Sequence, residues 1–65
     1  MKELFDALAK NEFAKNQNVT LEYVITNTWQ DSQYSRAAAE NGAILDKYRR
    51  YEHMTIRELK EKFSN

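Results

Sequence analysis

Apolar residues return every three or four positions along most of this chain, and only one stretch also alternates. Residues 2–15 place Phe5, Leu8, Ala9 and Phe13 on one stripe, with Leu4 beside it and Lys2, Asp6, Lys10 and Glu12 mostly elsewhere. That spacing predicts an amphipathic first helix over residues 2–15. Asn16, Gln17 and Asn18 then mark a turn. In the next stretch, NVTLEYVITNTW, Val19, Leu21, Tyr23 and Ile25 alternate like a strand, while Leu21, Val24, Ile25, Thr28 and Trp29 form a helical stripe. Its β-branched residues favour a strand. No second segment of the chain offers itself as a pairing partner, however, and a lone strand leaves its backbone groups unsatisfied unless another subunit supplies one. The expectation is a helix over about residues 20–27, with a strand at residues 19–26 only in a dimer.

Asp31 or Ser32 is placed to cap a third helix through the strong helix formers at 36–40, ending at Asn41-Gly42. Gly42 is equally readable as a weak point inside a longer helix. AILDKYRRYEH continues a helical pattern: Ile44, Leu45, Tyr48 and Tyr51 gather on one side, and Lys47, Arg49 and Arg50 spread over the other. Rings and cations therefore face apart, whereas a surface that stacks bases and holds phosphates needs both together. Asp46 stands four residues before Arg50, a favourable helical pairing. The best-marked boundary is Thr55-Ile56-Arg57-Glu58, a capping box, with Met54 before it able to staple to Leu59. Ile56, Leu59 and Phe63 then share a face of a short last helix. The architecture expected is all-α, a compact bundle of four or five short helices in one domain spanning residues 1–65.

Composition narrows what such a bundle can do. With 65 residues and no Cys, the chain has no disulfide to hold it, so stability must come from packing or association. Pro is absent and Gly occurs once, so no flexible linker divides it. Ten cations balance ten acids, which leaves no global field to draw in a polyanion. The first ten residues include acids and lack the apolar run of a signal peptide, and no stretch approaches the ~20 apolar residues of a bilayer span. A cytoplasmic protein with no membrane contact is expected.

Catalytic chemistry finds little footing. His53 is the single His, no Ser or Cys nucleophile stands at a recognisable spacing from it, and one imidazole with scattered carboxylates does not supply a zinc or calcium site. So small a core also predicts no cleft of the ~300 Å³ or more that small-molecule sites occupy. No catalytic residue, metal, cofactor or small-molecule substrate is expected.

Large amphipathic side chains remain in excess of what so short a chain buries easily: Trp29, Tyr23, Tyr34, Tyr48 and Tyr51. Exposed aromatics with arginines dominate protein interfaces. The principal expectation is a non-catalytic regulatory or adaptor domain that binds another protein, with Trp29, Gln33, Tyr34, Arg36, Arg49 and Arg50 as binding residues. The alternative is a DNA-binding transcriptional regulator of helix-turn-helix type. TLEYVITN would form its first helix, TWQ its turn and DSQYSRAAAENG its recognition helix, with Gln30, Ser32, Gln33 and Arg36 able to read base edges. Were residues 19–26 a strand, a ribbon-helix-helix arrangement would present Thr20, Glu22, Val24 and Thr26. A structural homo-oligomer, in the simplest case a homodimer, is the third class.

Overall fold

Four α-helices alternate with single 3-10 turns and short loops in the computed structural model of the protein, which describes residues 1–63. They are α1 (Lys2–Ala9), α2 (Leu21–Asp31), α3 (Arg36–Asp46) and α4 (Ile56–Phe63), with 3-10 turns at Glu12–Ala14 and Arg49–Tyr51. The all-α expectation holds. One cluster unites Leu4 and Leu8 of α1, Leu21, Val24 and Ile25 of α2, Leu45 of α3, and Ile56 and Leu59 of α4, each at most 5% exposed.

The first helix is shorter than its stripe predicts. α1 ends at Ala9 because Asn11 takes an extended conformation and its side chain caps the following 3-10 turn, accepting from the Phe13 amide at 2.8 Å. Burial shifts accordingly: Leu4, Ala7 and Leu8 face the core, and Ala9 is exposed. Residues 19–26 do not form a strand. Thr20 caps α2, its Oγ1 accepting from the Tyr23 amide at 3.2 Å, and Leu21, Val24, Ile25 and Thr28 make the buried stripe. The β-branched residues are tolerated because that stripe packs on the core.

The third helix starts later than expected and follows the longer of its two readings, through Gly42. Asp31 and Ser32 belong to the end of α2, and the cap of α3 is Ser35, whose Oγ accepts from the Ala38 amide. Gly42 stops nothing, since its φ is not positive and α3 passes through it to Asp46. Its role is spatial: a Cβ there would meet an indole carbon of Trp29 at 3.1 Å, so glycine lets the ring lie against α3. DKYRRYEH, in turn, is not one helix. α3 ends at Asp46, which pairs with Arg49 at 2.9 Å rather than with Arg50, and Arg49–Tyr51 is a 3-10 turn. Tyr48 and Tyr51 nevertheless sit half-buried against the core, with Lys47, Arg49 and Arg50 exposed.

The α2 and α4 starts cap one another. The box forms as read, Glu58 N–H donating to Thr55 Oγ1 at 3.1 Å and Thr55 N–H to Glu58 Oε1 at 2.9 Å. Beyond it, the amides of Leu21 and Glu22 donate to the carbonyls of Met54 and Glu52, and those of Ile56 and Arg57 to Val19 and Gln17, all at 2.9–3.0 Å. Each lead-in thus satisfies donors that the other helix leaves free in its first turn. Thr20 and Thr55 form an isolated antiparallel bridge at the centre.

Candidate functional site

A groove of about 730 Å³ runs between α1 and α3, closed at one end by the Glu12–Ala14 turn and the last turn of α2. This corrects the expectation that the chain is too small for a cleft. The space is not taken from the core. It lies outside it, where Ala7 on one wall and Ala37 and Ala38 on the other leave the helices apart, with Phe13 and Ile44 as larger apolar ends.

The floor is polar and satisfied. Asn11, 6% exposed, donates through Nδ2 to Thr28 Oγ1 at 2.7 Å and to Asn41 Oδ1 at 2.8 Å. Thr28 donates onward to the Val24 carbonyl at 2.6 Å, and Asn41 Nδ2 to the Ala7 carbonyl at 3.0 Å. Among the described residues no buried side-chain nitrogen or oxygen lacks a partner. The network ties α1, the first 3-10 turn, α2 and α3 together directly beneath the groove.

The rim is acidic. Glu3, Asp6, Glu12, Asp31 and Glu40 line it against only Lys2 and Lys10. Glu3 is engaged, accepting from Lys47 Nζ at 3.3 Å and from the Tyr48 hydroxyl at 3.1 Å. Lys47 first, and then the Tyr48 hydroxyl, hold its carboxyl below the usual carboxylate range. Partial burial, and then the bond to Glu3, push the Tyr48 phenol above its ordinary range. Among the described residues, Asp6, Glu12, Asp31 and Glu40 take part in no ion pair.

The residues singled out from the sequence lie elsewhere, in two places. Gln33 and Tyr34 are exposed in the turn between α2 and α3, Tyr34 at 86%, and Arg36 is the exposed first residue of α3. α2 continues through Trp29 and Gln30, so the expected TWQ turn is helix and Gln33 is not on a recognition helix. Trp29, 36% exposed, is brought together with Arg49: the indole Nε1 at 3.2 Å and Arg49 Nε at 2.9 Å both donate to Asp46 Oδ1. Arg49 also reaches Glu52 at 3.6 Å, while Arg50 points to solvent. None of the six lines the groove. Its one signal in the sequence was an amide or hydroxyl recurring at stripe positions, Asn11, Thr28 and Asn41. No helix among the described residues is long and apolar enough to cross a membrane. No protein-family model matches the chain, and comparisons with curated proteins and with solved structures give no match either, so the groove's own geometry carries the functional reading.

Proposed function

We propose that this domain acts without catalysis, as a regulatory or adaptor module that holds a segment of another protein in the groove between α1 and α3. The observation that carries this is the groove itself: about 730 Å³ of space with small apolar walls over a rigidly bonded floor. Such a surface offers apolar area to a partner at little cost in reorganisation, since the side chains beneath it are already fixed. The floor amides and hydroxyl are engaged with one another, which suits a site that holds rather than one that reacts. A duplex-reading role draws less support. Gln33 lies in a turn, and the acidic groove rim repels phosphate.

The test compares the wild-type domain with Ala37→Trp, which fills the groove from an exposed helical position. Both are used to capture proteins from the native cell, with a nuclease-treated sample in parallel. Partners retained by wild type after nuclease treatment and lost with Ala37→Trp, in a variant whose melting temperature is unchanged, are the expected result. Partners indifferent to the substitution would place the interface elsewhere, and binding abolished by nuclease alone would make the ligand a nucleic acid.

A further inference from the structure

The chemistry of the groove also selects its occupant. We infer that it takes a short amphipathic helix carrying Lys or Arg on its flanks and small apolar residues on the face between them. This deepens the protein-binding reading above and rests on it.

Two independent features lead there. The first is charge. Five carboxylates against two ammonium groups line the groove, and four of the five take part in no ion pair among the described residues. Glu3 is the exception, paired with Lys47; outside the groove Asp46 and Glu52 pair with Arg49 and Glu58 closes the α4 capping box, while Glu22 and Glu61 stand on exposed surface away from the acids of the groove. Asp31 is placed against its own fold, since it ends α2, where the carbonyl end of the helix dipole disfavours a carboxylate. Folding gains nothing from an unpaired acid at that point, whereas a cationic ligand does. Nor do these groups describe a metal site, because among the described residues no three His, Cys, Asp or Glu side chains come together as one ion requires. Carboxylates on both walls and at the closed end match charges spread along a chain.

The second feature is shape. Ala7, Ala37 and Ala38 keep the walls low, which lets a helix backbone approach, and helix pairs pack at about 8–10 Å between axes. α3 has 11 residues, so at about 1.5 Å per residue a partner lying along it engages two to three turns. Over that length, cations on the two flanks face Glu40 on the α3 wall and Asp6 on the α1 wall, and a further cation at the closed end meets Asp31 and Glu12, with alanine-sized and leucine-sized side chains between Phe13 and Ile44.

The experiment uses the full chain, labelled with nitrogen-15, and three synthetic amidated 15-residue peptides. One is a Leu/Ala/Lys helix with its lysines on the two flanks, the second has Glu for every Lys, and the third has the composition of the first in scrambled order. The Asn11 and Asn41 side-chain amides lie under the groove and report occupancy directly. The Lys helix is expected to shift them and to weaken at least tenfold in D31N/E40Q, two neutralising changes at non-core positions. Glu61→Lys, on α4 and outside the groove, should leave its affinity within twofold. The inference is overturned if the Glu peptide binds as well, if the scrambled peptide does, if spermine displaces the Lys helix from the groove at equal charge concentration, or if the same signals move on simple dilution, which would make the occupant a second copy of this chain. Should the Lys helix leave Asn11 and Asn41 unmoved while Ala37→Trp still loses a captured protein, the cationic helix fails and the protein-binding reading stands. With both results negative, the two fall together.

Discussion

Asn11 is the residue at which α1 gives way to a turn, and its side chain does four things at once. It accepts from the Phe13 amide, donates to Thr28 and Asn41, and through Asn41 reaches the Ala7 carbonyl. Asn11→Asp keeps the shape and the acceptor but removes both donors, leaving a carboxylate facing the oxygens of Thr28 and Asn41. With a nearly buried group losing two hydrogen bonds, the expected loss is about 2–4 kcal/mol, read as a shift in urea midpoint at constant slope. An unchanged midpoint would mean that the network is not formed in solution. The sequence reading carried one helix through this position because the apolar stripe runs on to Phe13. What stops the helix is the extended Asn11, whose side chain caps the next turn locally and is held there by bonds to residues 17 and 30 positions away that no local periodicity reports. Glu3 and Tyr48 give a second prediction at this scale, one of pH. The Glu3 carboxyl is held below its usual range, so its contribution to stability is present above the unfolded carboxyl range and is lost as pH falls through the depressed value. The Tyr48 phenol is pushed up, so its contribution is present below the unfolded phenol range and is lost as pH rises through the raised value. The stability gap between wild type and Glu3→Gln should therefore be widest near neutrality and close towards both extremes. Tyr48→Phe should abolish the alkaline part and shrink the acid part without removing it, since Lys47 still holds Glu3, and chemical denaturation at a series of pH values distinguishes the two variants.

Pairs of elements, rather than single helices, set the stability of α2 and α4. Thr55→Ala removes the acceptor for the Glu58 amide and should lower stability by about 0.5–2 kcal/mol, as should Thr20→Ala at the start of α2. Were the caps independent, the two losses would add. The lead-in before each helix also holds the other's first amides, through Met54 and Glu52 in one direction and Val19 and Gln17 in the other. A double-mutant cycle is therefore expected to show coupling above about 0.5 kcal/mol. Strict additivity would mean that the reciprocal bonds survive the loss of either threonine. The two caps were unequally visible in the sequence. Thr55-x-x-Glu58 is a complete box and was read correctly, but Thr20 has Tyr23 at the matching place and shows only half of the pattern. The shared run of apolar residue, Thr, apolar residue, at 19–21 and 54–56, was the signal that the two ends form one structure. The ends of α3 were misplaced for a related reason. Ser32 and Ser35 are equally good caps by residue type, and the choice between them is made by how far α2 continues before the chain must turn.

At the scale of the whole molecule, fold class was legible and the groove was not. Apolar spacing, the absence of Pro and the lack of a pairing segment for residues 19–26 are properties of the chain taken in order, and they specify an all-α bundle. The groove is assembled from α1, a 3-10 turn, the end of α2 and α3, and it exists because alanines stand where larger residues would have closed it. Trp29, Tyr34 and the arginines drew notice through their chemistry, but residue type alone carries no information about which surfaces face one another. The same smallness that places the groove outside the core makes the core vulnerable. At about 0.05–0.15 kcal/mol per residue, a chain of 65 residues has a stability of roughly 3–10 kcal/mol. Leu59 is fully buried in α4, and Leu59→Ala removes three heavy atoms from a cluster with contributions from every helix. Core truncations of this kind cost about 2–5 kcal/mol, the larger values arising where the surroundings cannot collapse into the space. Collapse is restricted here, because the start of α4 is held by the Val19 and Gln17 carbonyls and cannot slide inward without breaking them. The loss is therefore expected in the upper half of that range, a large share of the total, leaving a measurable fraction of the protein unfolded at 37 °C. Calorimetry and urea titration read it directly, and a ligand that occupies the groove should restore part of it by mass action, raising the melting temperature in proportion to the logarithm of its concentration. A Leu59→Ala protein as stable as wild type would show that α4 is dispensable to the core.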